Sequence, residues 1–94
     1  MFVVRETFTA RPGQASKLAA MLKDAVSTRP SLKTRVLTDF IAGFNTVVLE
    51  TETADLNAFE AEMKEYATSP EIREKMRGYT DLWQSGRREV YRLV

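Results

Sequence analysis

The apolar residues of this 94-residue chain change period repeatedly along its length, and the order of those changes leaves few ways to fold. Phe2 to Thr9 is dominated by β-branched and aromatic residues and stops at Pro12-Gly13, the pattern of a first strand and its turn. From Gln14 the apolar positions become Ala15, Leu18, Ala19, Leu22, Ala25 and Val26, the stripe of an amphipathic helix with Lys17, Lys23 and Asp24 off it. Arg29-Pro30 interrupts that pattern, because the residue before proline is pushed out of helical geometry. Arg35 to Ile41 and Thr46 to Thr51 are extended and β-rich, and Ala42-Gly43-Phe44-Asn45 between them supplies reversal residues, so the middle of the chain reads as a hairpin.

Thr53 and Asp55 compete to cap a second helix whose stripe is Leu56, Phe59, Met63, Tyr66 and Ala67. Ser69-Pro70-Glu71 restarts a helix: serine caps, proline suits the first helical position, and the acid favours the positive end of the macrodipole. Ile72, Met76, Tyr79 and Trp83 extend that stripe, Ser85-Gly86 is expected to stop it, and Arg87 to Val94 alternates as a last strand. The resulting order is that of an α+β ferredoxin-like βαββαβ plait, with an extra short helix before the last strand and a four-stranded antiparallel sheet. With no linker or repeat, residues 1–94 read as one domain.

Composition removes whole classes of function. Fourteen basic against thirteen acidic residues leave a charge of +1, too weak a field for nucleic acid or an anionic membrane. The chain has no histidine, hence no common general base near neutral pH and no imidazole metal ligand, and no cysteine, hence no thiolate chemistry. No cofactor and no metal are expected. Charges close to the start disfavour a signal peptide and no apolar run reaches about 20 residues, so a soluble cytoplasmic protein is expected.

A sheet with helices on one face should turn polar residues to the other. Here Val3 and Val4, Val36 and Leu37, Phe40 and Ile41, and Val47, Val48 and Leu49 place apolar side chains at adjacent positions, so both faces are expected to be buried. A second sheet is the natural cover, and a homodimer is expected; the competing reading is a monomer shielded by its own C-terminal segment.

The segments Arg11-Pro12-Gly13, Gly43-Phe44-Asn45-Thr46-Val47-Val48, and Ser69-Pro70 leading to Gly86-Arg87-Arg88-Glu89-Val90-Tyr91 resemble the NIPSNAP-type members of the dimeric α/β-barrel superfamily. The resemblance spans nearly the whole chain and implies two four-stranded sheets facing each other across a pocket-bearing barrel. That superfamily includes antibiotic-biosynthesis-type monooxygenases, haem-degrading enzymes, lactone isomerases and ligand-sensing modules, so membership alone selects no activity. The axial histidine of haem-degrading relatives has no counterpart here.

Candidate site residues each have two readings. Arg5 and Glu6 lie on opposite faces of the first strand, and whichever faces the cavity either anchors a polar ligand or pairs with Asp39, Glu50 or Glu52. Tyr91, sharing a face with Glu89, either donates its phenol to a ligand or packs. Asn45 either contacts a ligand or forms a left-handed turn. Phe40 and Phe44 either close an apolar pocket or pack the dimer, and Trp83, with Tyr79 and Tyr66, reads as core or pocket lining. Arg87-Arg88 reads as a solvated strand entry. Three functions remain: a homodimer binding a small apolar or aromatic molecule between its sheets, a cofactor-independent monooxygenase or isomerase using a cavity carboxylate such as Glu6 or Glu50, or a purely structural association module.

Overall fold

The computed structural model describes residues 1–94. Strand β1 (Phe2–Ala10), helix α1 (Ala15–Val26), strands β2 (Lys33–Thr38) and β3 (Thr46–Thr53), helices α2 (Leu56–Thr68) and α3 (Pro70–Lys75), a 3-10 turn at Tyr79–Asp81 and strand β4 (Trp83–Arg92) follow in that order. The four strands form one antiparallel sheet in the order β2-β3-β1-β4, as the ferredoxin-like arrangement requires.

Local chemistry accounts for most boundaries. Asp55 wins the competition to cap α2: its carboxylate accepts from the backbone amides of Asn57 and Ala58 at 2.9 and 3.4 Å, while the Thr53 hydroxyl accepts from the Asp55 amide. Ser69 caps α3 by accepting from the Ile72 amide, with Pro70 at the first turn. Asn45 is the one non-glycine residue with positive φ, +61°, the left-handed turn position expected of it.

The end of the helical region departs from expectation. Helix α3 stops at Lys75, because Gly78 turns left-handed at φ +80°; a short 3-10 turn then leads into β4, which begins at Trp83. The spacing of Met76, Tyr79 and Trp83 imitated a helical stripe because all three pack against the same core from different elements. Gly86 consequently does not stop a helix. It sits within β4 opposite Phe8, where an added Cβ would lie 3.4 Å from both the Phe8 ring and the Thr7 carbonyl oxygen. The β2 strand is also shorter than expected and ends at Thr38, so Phe40 and Ile41 belong to the loop of residues 39–45 and to neither sheet face.

The core lies between the sheet and α1: Phe8, Ala10, Leu18, Leu22, Val47 and Leu82 form one buried cluster. The pairing Val4↔Thr51, Glu6↔Leu49, Phe8↔Val47 places these residues on the helix-covered face. Val3, Arg5, Thr7, Val48, Glu50 and Glu52 consequently occupy the opposite, open face, with Arg35 and Leu37 from β2 and Arg87, Glu89 and Tyr91 from β4. The expectation of two apolar faces needs correction here. Val3, Leu37 and Val48 do lie on the open face, but the same period of two brings a row of charges up between them.

Candidate functional site

Two features of the fold concentrate chemistry, one on each side of the sheet. On the helix side the sheet, α1, α2 and α3 enclose an open groove of about 440 Å³, with nine of its twelve lining residues apolar. Phe8 and Leu49 form its floor from the sheet. Leu22 of α1, Met63, Tyr66 and Ala67 of α2, Ile72 of α3 and Met76, which follows that helix, form its walls. Glu6 and Arg88, cross-strand partners on β1 and β4, line the same space. Arg88 donates from Nε to Glu6 Oε1 at 3.1 Å, and its terminal nitrogen lies 3.0 Å from the same oxygen. The groove therefore offers an apolar body with one carboxylate–guanidinium pair, the composition of a small-molecule site.

Tyr66 adds a polar atom. Its ring lines the groove, and its buried hydroxyl lacks a hydrogen bond of good geometry. Burial pushes the phenol above its ordinary pKa, partly offset by the nearby Arg29 charge.

The open face is electrostatic. The register aligns Arg35, Glu50, Arg5 and Glu89 in one row across all four strands. Glu50, only 8% exposed, accepts from Arg35 at 2.6 and 3.1 Å through one carboxylate oxygen and from Arg5 Nε at 2.9 Å through the other. The hydrogen bonds from Arg35, and then those from Arg5, hold its carboxyl below the usual range against the opposing effect of burial. Glu89 accepts from the Tyr91 hydroxyl at 2.8 Å and from Arg87 at 3.1 Å, which lowers its pKa and raises that of Tyr91. The Arg5 guanidinium stands 5.2 Å above the Tyr91 ring.

The expected site residues thus separate. Glu6 faces the groove, whereas Arg5, Glu50 and Tyr91 share the open face. A single chain forms no enclosed space between sheets, and the ligand-sized concavity containing Glu6 lies on the opposite side from Arg5, Glu50 and Tyr91. Glu50 is held ionised between two arginines, so it is poorly suited to serve as a proton acceptor, which requires a raised pKa. Phe40, Ile41 and Phe44 are 95%, 91% and 87% exposed at the β2–β3 loop tip, away from the groove. Asn45 serves the base of that loop: its carbonyl accepts from the Ala10 amide at 2.8 Å, while Asp39 accepts from the Thr46 amide. Trp83 packs on Phe8 at a centroid distance of 5.4 Å and on Tyr79, and its buried indole nitrogen has no partner.

Arg88 was missed by sequence reasoning. It looked like strand-entry charge, and only the β1–β4 register, which sets it opposite Glu6, reveals its place in the groove.

The whole chain superposes on solved structures at low sequence identity. An uncharacterised NIPSNAP domain protein from Burkholderia xenovorans matches with a TM-score of 0.84 and 14% identity over 100% of this chain and 95% of its own. A NIPSNAP family protein from Agrobacterium tumefaciens matches with a TM-score of 0.85 and 11% identity over 99% and 92%. The chain shares its ferredoxin-like fold with these NIPSNAP proteins. An antibiotic biosynthesis monooxygenase superposes with a TM-score of 0.73 and 13% identity, covering 100% of this chain and 99% of that one. No family model and no curated protein matches the sequence. At these identities the likeness concerns the fold, and the site must be argued from the residues themselves.

Proposed function

We propose that this protein binds one small, predominantly apolar molecule per chain in the groove between its sheet and α2–α3, and that it acts as a homodimer paired through the open sheet face. The groove carries the reading. Its volume of about 440 Å³ falls within the range of about 300 to 1,000 Å³ typical of ligand sites. Its lining is apolar apart from a few polar side chains, among them the Glu6–Arg88 pair, which is placed to orient a hydroxyl or carboxylate on the ligand. Pairing is supported by Leu37 and Tyr91, which remain 40% and 46% exposed on the open face of a single chain.

The test uses 1-anilinonaphthalene-8-sulfonate, whose fluorescence rises in apolar surroundings. One probe should bind per chain. Ala67, exposed at the groove wall, accommodates a larger side chain without burying it, so Ala67→Trp should block the probe while leaving the thermal midpoint in place. Full binding in Ala67→Trp rejects the groove as the site.

A catalytic version rests on one observation: Glu6 is the only carboxylate lining the groove, and Arg88 engages just one of its oxygens. The other oxygen is then available to take a proton from an acidic C–H or O–H of the bound molecule, with Arg88 stabilising the resulting oxyanion. This brings the chain toward the monooxygenase among its structural neighbours. Once a substrate is in hand, Glu6→Gln should abolish turnover with the fold intact, and unchanged turnover rejects this role.

A further inference from the structure

The groove does not end at Glu6. A narrower pocket of about 50 Å³ adjoins it, and the two spaces share Glu6, Leu49, Met63 and Tyr66. Val4 and Thr51 from the sheet, Val26 at the end of α1, Leu32, and Phe59 of α2 line this extension. Glu6 is its only charged residue, and the hydroxyls of Thr34 and Thr51 hydrogen-bond each other at 2.8 Å, so its lining beyond Glu6 is mainly apolar. Groove and extension together follow α2, which turns Phe59, Met63, Tyr66 and Ala67 toward them in succession. From Phe59 to Ala67 the helix rises about 12 Å, at roughly 1.5 Å per residue. The space is therefore long as well as apolar.

Its charges are unevenly placed. Glu6, Arg73 and Arg88 are the charged side chains that line it. Arg88 turns both its Nε and a terminal nitrogen to Glu6, so those two charges offset each other in the middle of the space. Arg73 of α3 lines the wide groove but not the extension, and it has no ion-pair partner anywhere in the chain. One cation is left in excess, at the end of the space away from the extension. The guanidinium fork matches a planar carboxylate, to which it donates two parallel hydrogen bonds.

We propose that the ligand is an apolar monocarboxylate whose carboxylate sits on Arg73 and whose tail passes Glu6 into the extension. This rests on the groove reading given above and adds the ligand's chemical class and its direction. A chain of carbon–carbon bonds of about 1.5 Å advances roughly 1.3 Å per atom, so about 12 Å takes roughly eight to ten carbons. The Glu6–Arg88 pair makes such a ligand tolerable: without Arg88, the Glu6 carboxylate would repel an acid entering beside it.

Octanoate and 1-octanol share a chain and differ in charge, and each is titrated into the whole protein and followed by methyl NMR. Octanoate should bind at least about tenfold more tightly than 1-octanol. Arg73 is exposed, so Arg73→Gln leaves the core untouched; it should erase the preference while 1-octanol binds as before. Arg77→Gln, at an arginine that pairs with Glu74 outside the groove, should keep the preference. Equal affinities in the wild type, or a preference that survives in Arg73→Gln, overturn the carboxylate assignment and leave the groove standing.

The direction is read in the same spectra. Octanoate should shift the methyls of Val4, Val26 and Leu32 in the extension, whereas butanoate, too short to pass Glu6, should not. Bound octanoate that leaves those three unmoved overturns the direction. If neither octanoate nor 1-octanol shifts Leu49, Met63, Ile72 or Met76, the groove reading fails and this inference fails with it.

Discussion

Replacing Glu50 with glutamine should destabilise the protein at neutral pH and do so less in acid. Glu50 receives hydrogen bonds from Arg35 and Arg5, and glutamine removes the negative charge that both guanidinium groups approach. Charge-assisted hydrogen bonds are worth roughly 1.5 to 3 kcal/mol, and for the single chain the loss must be discounted because the side chains of Arg5 and Arg35 are there 41% and 70% exposed and rehydrate. A net loss of about 1 to 2 kcal/mol follows, a fall of roughly 5 to 15 °C in the midpoint of a domain this size. The sign of the pH dependence is fixed by the direction of the shift. The folded-state pKa of Glu50 lies below its ordinary value, so its contribution is present above the unfolded pKa, near 4.5, and is lost as pH falls through the folded value. Urea unfolding at matched protein concentration should therefore show a larger gap between wild type and Glu50→Gln at pH 7 than at about pH 3. A gap of equal size at both pH values would mean that the carboxylate's charge is not what stabilises the row.

Three further perturbations probe the packing around the site. Gly86→Val pushes a branched side chain onto the Phe8 ring and the Thr7 carbonyl, and chemical denaturation should show a loss of roughly 1 to 3 kcal/mol. Tyr66→Phe deletes a buried hydroxyl that lacks a good hydrogen bond, so stability should be unchanged or rise slightly; a loss above about 1 kcal/mol would reveal a partner for it. Phe40→Ser, at a position 95% exposed, should change the unfolding free energy of the single chain by less than about 0.5 kcal/mol, and a larger loss would place Phe40 in the core.

The sequence disclosed the elements whose signals are local. The stripe of Leu18, Leu22 and Ala25, the Ser69-Pro70 helix start and the left-handed Asn45 all follow from side-chain chemistry within a few residues. The errors came from longer range. Tyr79 and Trp83 fell on the helical spacing of Ile72 and Met76 because a turn and a strand happened to return them to the same core. Which of Arg5 and Glu6 faced the helices was undecidable until the pairing with β3 placed Leu49 opposite Glu6 and Glu50 opposite Arg5. The groove itself had no sequence signature: it draws on β1, β3, β4 and all three helices, and Arg88 lies 82 residues from Glu6.

The position of the ligand is tested most directly by methyl NMR during titration with 1-anilinonaphthalene-8-sulfonate. The account predicts saturable shifts at Leu49, Met63, Ile72 and Met76, which line the groove, with Val3, Leu37 and Val48 on the open face unmoved. Shifts confined to Val3, Leu37 and Val48 would contradict it and place the binding space between the sheets.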